Sequence, residues 1–408
     1  MQSVLQALYV LFVIVEIIVA IYILVPFWSL CSYLLIRLLG IKRPYDRKPF
    51  ITDKNFDYGI IITAHQEVEF VFPLVDSILK QTYPHFYIYV VADDCDTSKL
   101  VFGDPRVIIL KPEPALNAKT RSIHYGIQHF QKKHDAIIIF DVDNLIHPRF
   151  LEVINNHFRK GYRVVQADFK PKNTDSNYAR MDAIGDMIAF FIDREAKMRL
   201  GLSAHIWGSG IAFDYDLYAG ILYRDGLGGF DKKLQAHLML SVPRIAFAPD
   251  AILYDEKVSS GKTLENQRAR WIQSYFKYFK ESWVIFVKGL KNFDINLVYF
   301  GFILLRPPLF IVMGAAFLFT AINFFIEPPA FWIWLAVLAS FVLSFAGIVL
   351  MKSKDWRYLK TMLFLPGFVF RQVLGLLKMK KAKKSFLKTP HTKLLYIEDL
   401  IGDTRAVK

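Results

Sequence analysis

The chain opens on an almost unbroken apolar run. Across residues 4–40 only Glu16 and Arg37 carry charge. At about 1.5 Å per helical residue, such a run is more than long enough to cross a bilayer core. It has neither a basic start nor a small-residue cleavage site, so the pattern predicts a retained anchor over residues 1–46 rather than a signal peptide. Pro26 is expected to kink it, with the remainder running along or out of the interface. Beyond it, apolar and polar positions alternate in short blocks as far as residue 291. Residues 58–63, 86–92, 106–110, 136–140 and 163–167 read as strands, and helices are predicted through Leu74, Ile78 and Leu79, around 120–131 and over 149–158. This alternation predicts an α/β domain over 47–291, a mostly parallel Rossmann-like sheet with helices on both faces. Residues 177–280 are more helical, with a long amphipathic stretch up to Gly201, and are expected to form the acceptor side and the join to the membrane.

Two further apolar stretches, 295–325 and 331–351, are separated by Glu327-Pro328-Pro329, which reads as a turn. Arg306-Pro307-Pro308 interrupts the first, so its span is expected to start near Leu309 or to bend there. Residues 292–352 are thus predicted to hold two transmembrane helices. Residues 358–377 carry Lys360, Arg371 and Gln372, and an interfacial amphipathic helix fits them better than a span. With the basic tail they form a last region, 353–408.

The net charge of +14 could suggest nucleic acid, but its placement argues otherwise. Lys42, Arg43, Arg47 and Lys48 follow the first apolar run, and Lys378, Lys380, Lys381, Lys383 and Lys384 follow the last. Such clusters read as positive-inside signals and as contacts to anionic lipid, which puts the central domain in the cytoplasm of a multi-pass protein. No nucleic-acid partner is expected. The only cysteines are Cys31 and Cys95, one in the anchor and one in a loop, so a disulfide is not expected.

The chemistry gathers where strands end. The strand 136–140 runs into Asp141-Val142-Asp143-Asn144, and two carboxylates two positions apart can turn toward one cation after a bend. Hard oxygen ligands of this kind suit Mg²⁺ or Mn²⁺ with substrate phosphates as co-ligands. The strand 58–63 leads into Ala64-His65-Gln66-Glu67, and 86–92 leads into Asp93-Asp94-Cys95-Asp96. In a parallel sheet all three loops fall on one carboxyl edge, where a nucleotide can lie. Each acid taken singly reads equally well as a helix cap or a solvated turn former. Lys119, near a predicted helix start, can meet a diphosphate or simply lie in solvent. Further on come Trp207-Gly208-Ser209-Gly210, Gly228-Gly229-Phe230-Asp231 and Gln267-x-x-Arg270-Trp271. The small residues allow close approach of a sugar or form a tight turn. Asp231 is a lone acid in a glycine-preceded loop, suited to general-base work. Arg270 and Trp271 could hold a sugar, or anchor the bilayer boundary.

In this order, AHQE, VVADDCD, ALNAK, FDVDN, GSG, FDKKL and QRARW resemble the family 2 glycosyltransferases, and within them the membrane subgroup of cellulose, chitin and hyaluronan synthases and bacterial exopolysaccharide relatives. The likeness covers residues 58–280, and FLKTPHT (386–392) is similar to a short tail motif of these proteins. The resemblance implies a glycosyltransferase-A fold and inverting transfer from a nucleotide sugar, most often a UDP-sugar, with Mg²⁺ or Mn²⁺. It implies nucleotide-sugar contacts at Glu67, Asp93, Asp94, Lys119 and Asp141, a metal ligand at Asp143, the base at Asp231, and an acceptor and diphosphate clamp at Gln267, Arg270 and Trp271. The acceptor is then a growing polysaccharide or glycolipid at the lipid bilayer, and the location a bacterial inner or plasma membrane. Phe230 departs from the pattern, since the family has an acid before the base. A single-sugar transferase acting on a lipid, and a sugar-nucleotide-binding scaffold without turnover, are the alternative readings. Sugar, linkage, and any export or assembly partner are not written in the sequence.

Overall fold

The computed structural model describes residues 2–221, 230–378 and 391–402, the side chains of 230–232 excepted. Eight strands form one sheet: β1 (Tyr58–His65), β2 (Phe86–Asp93), β3 (Val107–Leu110), β4 (Ala136–Asp141), β5 (Leu145–Ile146), β6 (Val164–Pro171), β7 (Ile211–Asp214) and β8 (Ala246–Asp255). Their order is β3-β2-β1-β4-β7-β6-β8-β5. Pairs β1–β2, β1–β4, β2–β3 and β6–β8 are parallel, while β7 runs antiparallel to both β4 and β6, and β5 antiparallel to β8. The sheet is therefore mixed, its parallel half being the part expected from the sequence. Neither β7 nor β8 is among the strands that the pattern of apolar and polar positions predicts. β7 is four residues long, and β8 carries a register break at the residues facing Ala167/Asp168, so neither shows a clean period.

Helices among the described residues are, in chain order, α1 (Gln2–Leu38), α2 (Pro44–Arg47), α3 (Val71–Leu79), α4 (Lys119–Gln128), α5 (Phe150–Arg159), α6 (Asn177–Phe190), α7 (Ala196–Arg199), α8 (Tyr215–Ala219), α9 (Phe230–Ser241), α10 (Gly261–Lys277), α11 (Phe279–Lys291), α12 (Ile295–Leu305), α13 (Leu309–Ile326), α14 (Pro328–Ser353), α15 (Arg357–Thr361), α16 (Leu365–Leu377) and α17 (Glu398–Ile401). A π-helical turn, Phe191–Glu195, joins α6 to α7. The central strands are buried on both faces: Ile137, Ile138, Ile139 and Phe140 of β4 are fully covered, as continuous apolar runs in two-sided sheets require.

Four helical stretches among the described residues are long and apolar enough to cross a membrane: Gln2–Leu38, Leu309–Ile326, Pro328–Ser353 and Arg357–Leu377. α1 continues through Pro26 as one helix. Pro328 and Pro329 form the first turn of α14 rather than a turn before it, because a proline at N1 or N2 gives up no intrahelical bond. α1 and α14 run the same way, with Glu16 beside Trp334 and Leu30 beside Gly347. Glu16 Oε1 accepts from Trp334 Nε1 at 2.9 Å and from Asn323 Nδ2 of α13 at 2.5 Å, so its polar head is satisfied inside the bundle. α16 behaves differently. It lies on α10, where Arg371 Nη1 and Lys378 Nζ both reach Glu265, and where a Cβ on Gly375 would come within 3.0 Å of the Glu265 carbonyl. The bundle joins the sheet domain through the π turn: Asp193 pairs with Arg306, and Glu195 accepts from Tyr33 and Lys352.

Candidate active site

Because β1, β2 and β4 are parallel, their carboxyl ends fall on one edge, with Thr63 level with Asp141 and His65 level with Asp93. Asp93 is buried and already employed. Its carboxylate accepts from the backbone N–H of Leu116 (2.6 Å) and Asn117 (2.8 Å) and contacts His65 Nδ1 at 3.2 Å, so it fixes the loop that leads to α4. Asp94 is exposed in a left-handed backbone conformation, φ 53°, and accepts from Gln66. Of the two acids, Asp94 is the one that faces solvent.

Lys119 opens α4, and its ammonium donates to Asp141 and, at 2.7 Å, to the carbonyl of Gly208. It thereby ties the end of β4 to the Trp207–Gly210 turn, two pieces of the predicted site that lie far apart in sequence. Gly210 is required in that turn: its φ is +60°, and a Cβ there would sit 2.9 Å from Leu253 and 3.0 Å from Phe169. Ser209 Oγ donates to Asn144 and accepts from the N–H of Asp141, so the strand end and the turn hold each other. Arg270, on α10, is drawn to the same place. Burial pulls its pKa below the usual arginine value, and the charge of Asp141 opposes that. Trp271, 45% exposed, stands 6.3 Å from Trp207 between ring centroids, and the Arg268 guanidinium lies 4.0 Å over its ring. The Oε1 atom of Gln267 is buried with no hydrogen-bond partner among the described residues.

Asp143 is 4% exposed and sits among other acids. His391, which belongs to the FLKTPHT tail motif, enters here from the far end of the chain. Its Nδ1 is 3.5 Å from Asp143 and 3.8 Å from Glu256, and its Nε2 is 3.8 Å from Glu67. Burial, with the charges of Asp255 and Asp141, raises the Asp143 pKa against the opposing pull of His391 and Lys172. Burial also disfavours a charged His391, but Asp143, Glu67, Glu256 and Asp255 outweigh it and lift its pKa. The adjacent tail residues are docked: Thr392 and Lys393 donate their N–H groups to Glu256, and Lys393 Nζ pairs with Asp175 at 2.5 Å. His391, Glu256 and Lys172 were not singled out from the sequence. For His391 the signal was the tail motif itself, whose place in the fold could not be read.

A divalent cation fits this corner chemically, since carboxylate oxygens outnumber fixed cations and one imidazole nitrogen joins them. No group of three His, Cys, Asp or Glu side chains among the described residues is arranged to hold an ion unaided. Asp143 would hold it together with phosphate oxygens from a ligand, and His391 would join only on giving up its proton. The structure brings Glu67, Lys119, Asp141, Asp143 and Arg270 to one edge of the sheet. Asp231 lies near the start of α9, a helix rather than the expected loop, and its side chain falls outside the described residues.

The mixed sheet, with acid-tipped loops on one edge, lies beside a tryptophan-bearing helix that leads into apolar helices. Residues 56–274 match the family described as glycosyltransferase-like family 2, and the chain belongs to that family. No curated protein sequence matches it. Among solved structures it is similar to the mannosyltransferase PcManGT from Pyrobaculum calidifontis in complex with GDP-Man and Mn²⁺, at 15% identity and a TM-score of 0.46, over 90% of this chain and 99% of that one. It is similar also to S. aureus TarS 1-349, at 14% identity and a TM-score of 0.41, over 83% and 93% of the two chains. The same TarS fragment in complex with UDP-GlcNAc gives 14% identity and a TM-score of 0.40, over 80% and 91%.

Proposed function

We propose that this glycosyltransferase moves a sugar, with inversion, from a UDP-sugar to a hydroxyl of a growing polysaccharide or glycolipid at the cytoplasmic face of a membrane. The observation that carries the reading is the meeting of Lys119, Asp141 and Arg270, from a helix start, a strand end and the membrane-proximal helix. Carboxylates alone on this edge would repel a diphosphate, so the two basic groups are what make it a donor site. A bound divalent ion would neutralise charge on the departing diphosphate. Asp231 takes the proton of the acceptor hydroxyl as its oxygen bonds to the anomeric carbon, and the carbon–diphosphate bond breaks with its electron pair leaving on UDP. Trp271, 45% exposed, offers a ring on which an acceptor sugar can stack.

The topology supports the same reading. Parallel α1 and α14 put the amino terminus and the α13–α14 junction on one side, and the sheet domain with the basic cluster Lys42, Arg43, Arg47 and Lys48 on the other. One observation favours a second reading, single addition to a lipid acceptor. α16 is docked on α10, while its Phe368 packs with α1, α13 and α14, so the apolar bundle is a small wall for a translocating chain. Membranes incubated with radiolabelled UDP-sugars and Mn²⁺ test both. Polymer on a sizing gel supports extension, a single labelled lipid supports the second reading, and no transfer from any donor rejects the proposal.

A further inference from the structure

The two halves of the site, the end of β4 and the helix that carries Trp271, are far apart in sequence, and Arg270 of that helix lies within charge range of Asp141. A buried ion-pair system lies between them. Lys257 follows β8 and is 2% exposed. Its ammonium pairs with Asp186 on α6 and, at 2.8 Å, with Asp255. Asp255 in turn accepts from Asn144 Nδ2 at 3.3 Å, and Asn144 Oδ1 accepts from the N–H of Asp141. The next residue grips the same helix one turn earlier: Val258 N–H donates to Asp182 at 3.3 Å. Asp182 also receives Arg268 Nη2, whose guanidinium lies on Trp271. Asn173 clasps the segment from the other side, accepting from Lys257 N–H at 2.7 Å and donating to its carbonyl at 3.1 Å.

We infer that Lys257 is a positioning residue that sets the distance and angle between the Asp141–Asp143 strand end and the Arg268–Trp271 face. The inference rests on the transferase reading above, but on different residues. A lysine this deep is held by charge alone if its role is stability, and a buried pair of that kind can often be exchanged for apolar side chains at little cost. If instead it positions the site, the exchange restores the fold and not the chemistry, since a displacement of about 1 Å can cost on the order of 10²-fold in rate. Asp255 makes the two outcomes separable. Its side chain is 25% exposed, so it stays solvated when Lys257 is removed, and it loses only the partner that aims it at Asn144.

The test is a stability and kinetic comparison of the full-length wild type, K257M and K257M/D186L in detergent or nanodiscs. K257M alone leaves Asp186 buried without a countercharge, and its melting temperature should fall. The double variant should regain the wild-type melting temperature, with the adjoining cavity of about 50 Å³ giving the apolar pair room to relax. Its kcat should stay about 10²-fold below wild type. UDP affinity by calorimetry should stay within about threefold, because the nucleotide is held by other loops. A double variant that recovers kcat along with stability overturns the inference. Should the double variant fail to fold, Asp186→Asn keeps Lys257 paired with Asp255 and leaves the charges beside Asp143 in place: a loss of kcat is expected, and wild-type kcat contradicts the inference. A wild-type protein that transfers no sugar would remove the underlying transferase reading, and this inference with it, a result separate from either variant outcome.

Discussion

The sheet carries an aspartate–histidine contact at each of its two edges, and the two are built in opposite ways. At the amino edge His134 is fully covered, with Nδ1 2.5 Å from Asp57 and Nε2 2.9 Å from the Tyr89 hydroxyl, which itself accepts from Gln131 N–H. Both ring nitrogens are matched, and an adjacent lysine, Lys132, balances the acid. At the carboxyl edge His391 stands 3.5–3.8 Å from three carboxylates, at ion-pair rather than hydrogen-bond distance. The first arrangement spends its polar groups on each other and is closed. The second crowds like charges into a largely buried corner, where a bound cation would offset them.

Substitutions at the two edges should therefore fail differently. The largest effect is expected from Asp143→Ala, which removes the acid at the proposed metal corner. Turnover should drop by roughly 10³-fold or more, in line with the several kcal/mol that a positioned cation contributes. Mn²⁺-dependent UDP binding by calorimetry should vanish, and circular dichroism should be unchanged. Asp231→Asn comes next. It keeps the size of the side chain but cannot take a proton, so transfer should fall about 10²–10⁴-fold with UDP affinity little altered. Asp225, likewise outside the described residues, is the rival base; inactivity of Asp225→Asn with normal Asp231→Asn would move the assignment there. His391→Ala is expected to raise the Mn²⁺ concentration for half-maximal activity about 10–100-fold, read from metal titrations at saturating donor.

The smallest catalytic effect belongs to the closed edge. Asp57→Asn should cost about 1–3 kcal/mol of stability by thermal melts while leaving kcat of the folded protein unchanged. A pH series sharpens this. Burial disfavours ionised Asp57, but its hydrogen bonds and charge contacts with His134 and Lys132 outweigh that and hold its pKa below the ordinary value. Its contribution is thus complete above the unfolded-state pKa and is lost as pH falls through the lower folded-state one. Acidification below about pH 4 should lower the wild-type melting temperature more steeply than that of Asp57→Asn.

Much of the parallel half of the fold was legible, because buried strands write themselves as apolar runs: β1, β2 and β4 fall within two residues of where periodicity puts them. The antiparallel insertion β7 was not, since a four-residue strand beginning at Ile211, beside a glycine turn, carries too little pattern. The acid loops were visible as strand ends, yet their division of labour was not. Nothing local distinguishes Asp93, consumed by two backbone N–H groups, from Asp94, which is free of that duty. His391 escaped for a related reason. Its neighbours Glu67, Asp143 and Glu256 come from three other segments, and only tertiary structure brings them together.

The open edge is proposed as a metal-assisted donor site and the closed edge as scaffold. Transfer of label from UDP-sugars, measured in the same membranes for wild type, Asp143→Ala and Asp57→Asn, with Mn²⁺ and with EDTA, tests it directly. The prediction is transfer by wild type and Asp57→Asn that EDTA abolishes, and none by Asp143→Ala. Undiminished transfer by Asp143→Ala, or transfer indifferent to EDTA, would contradict it.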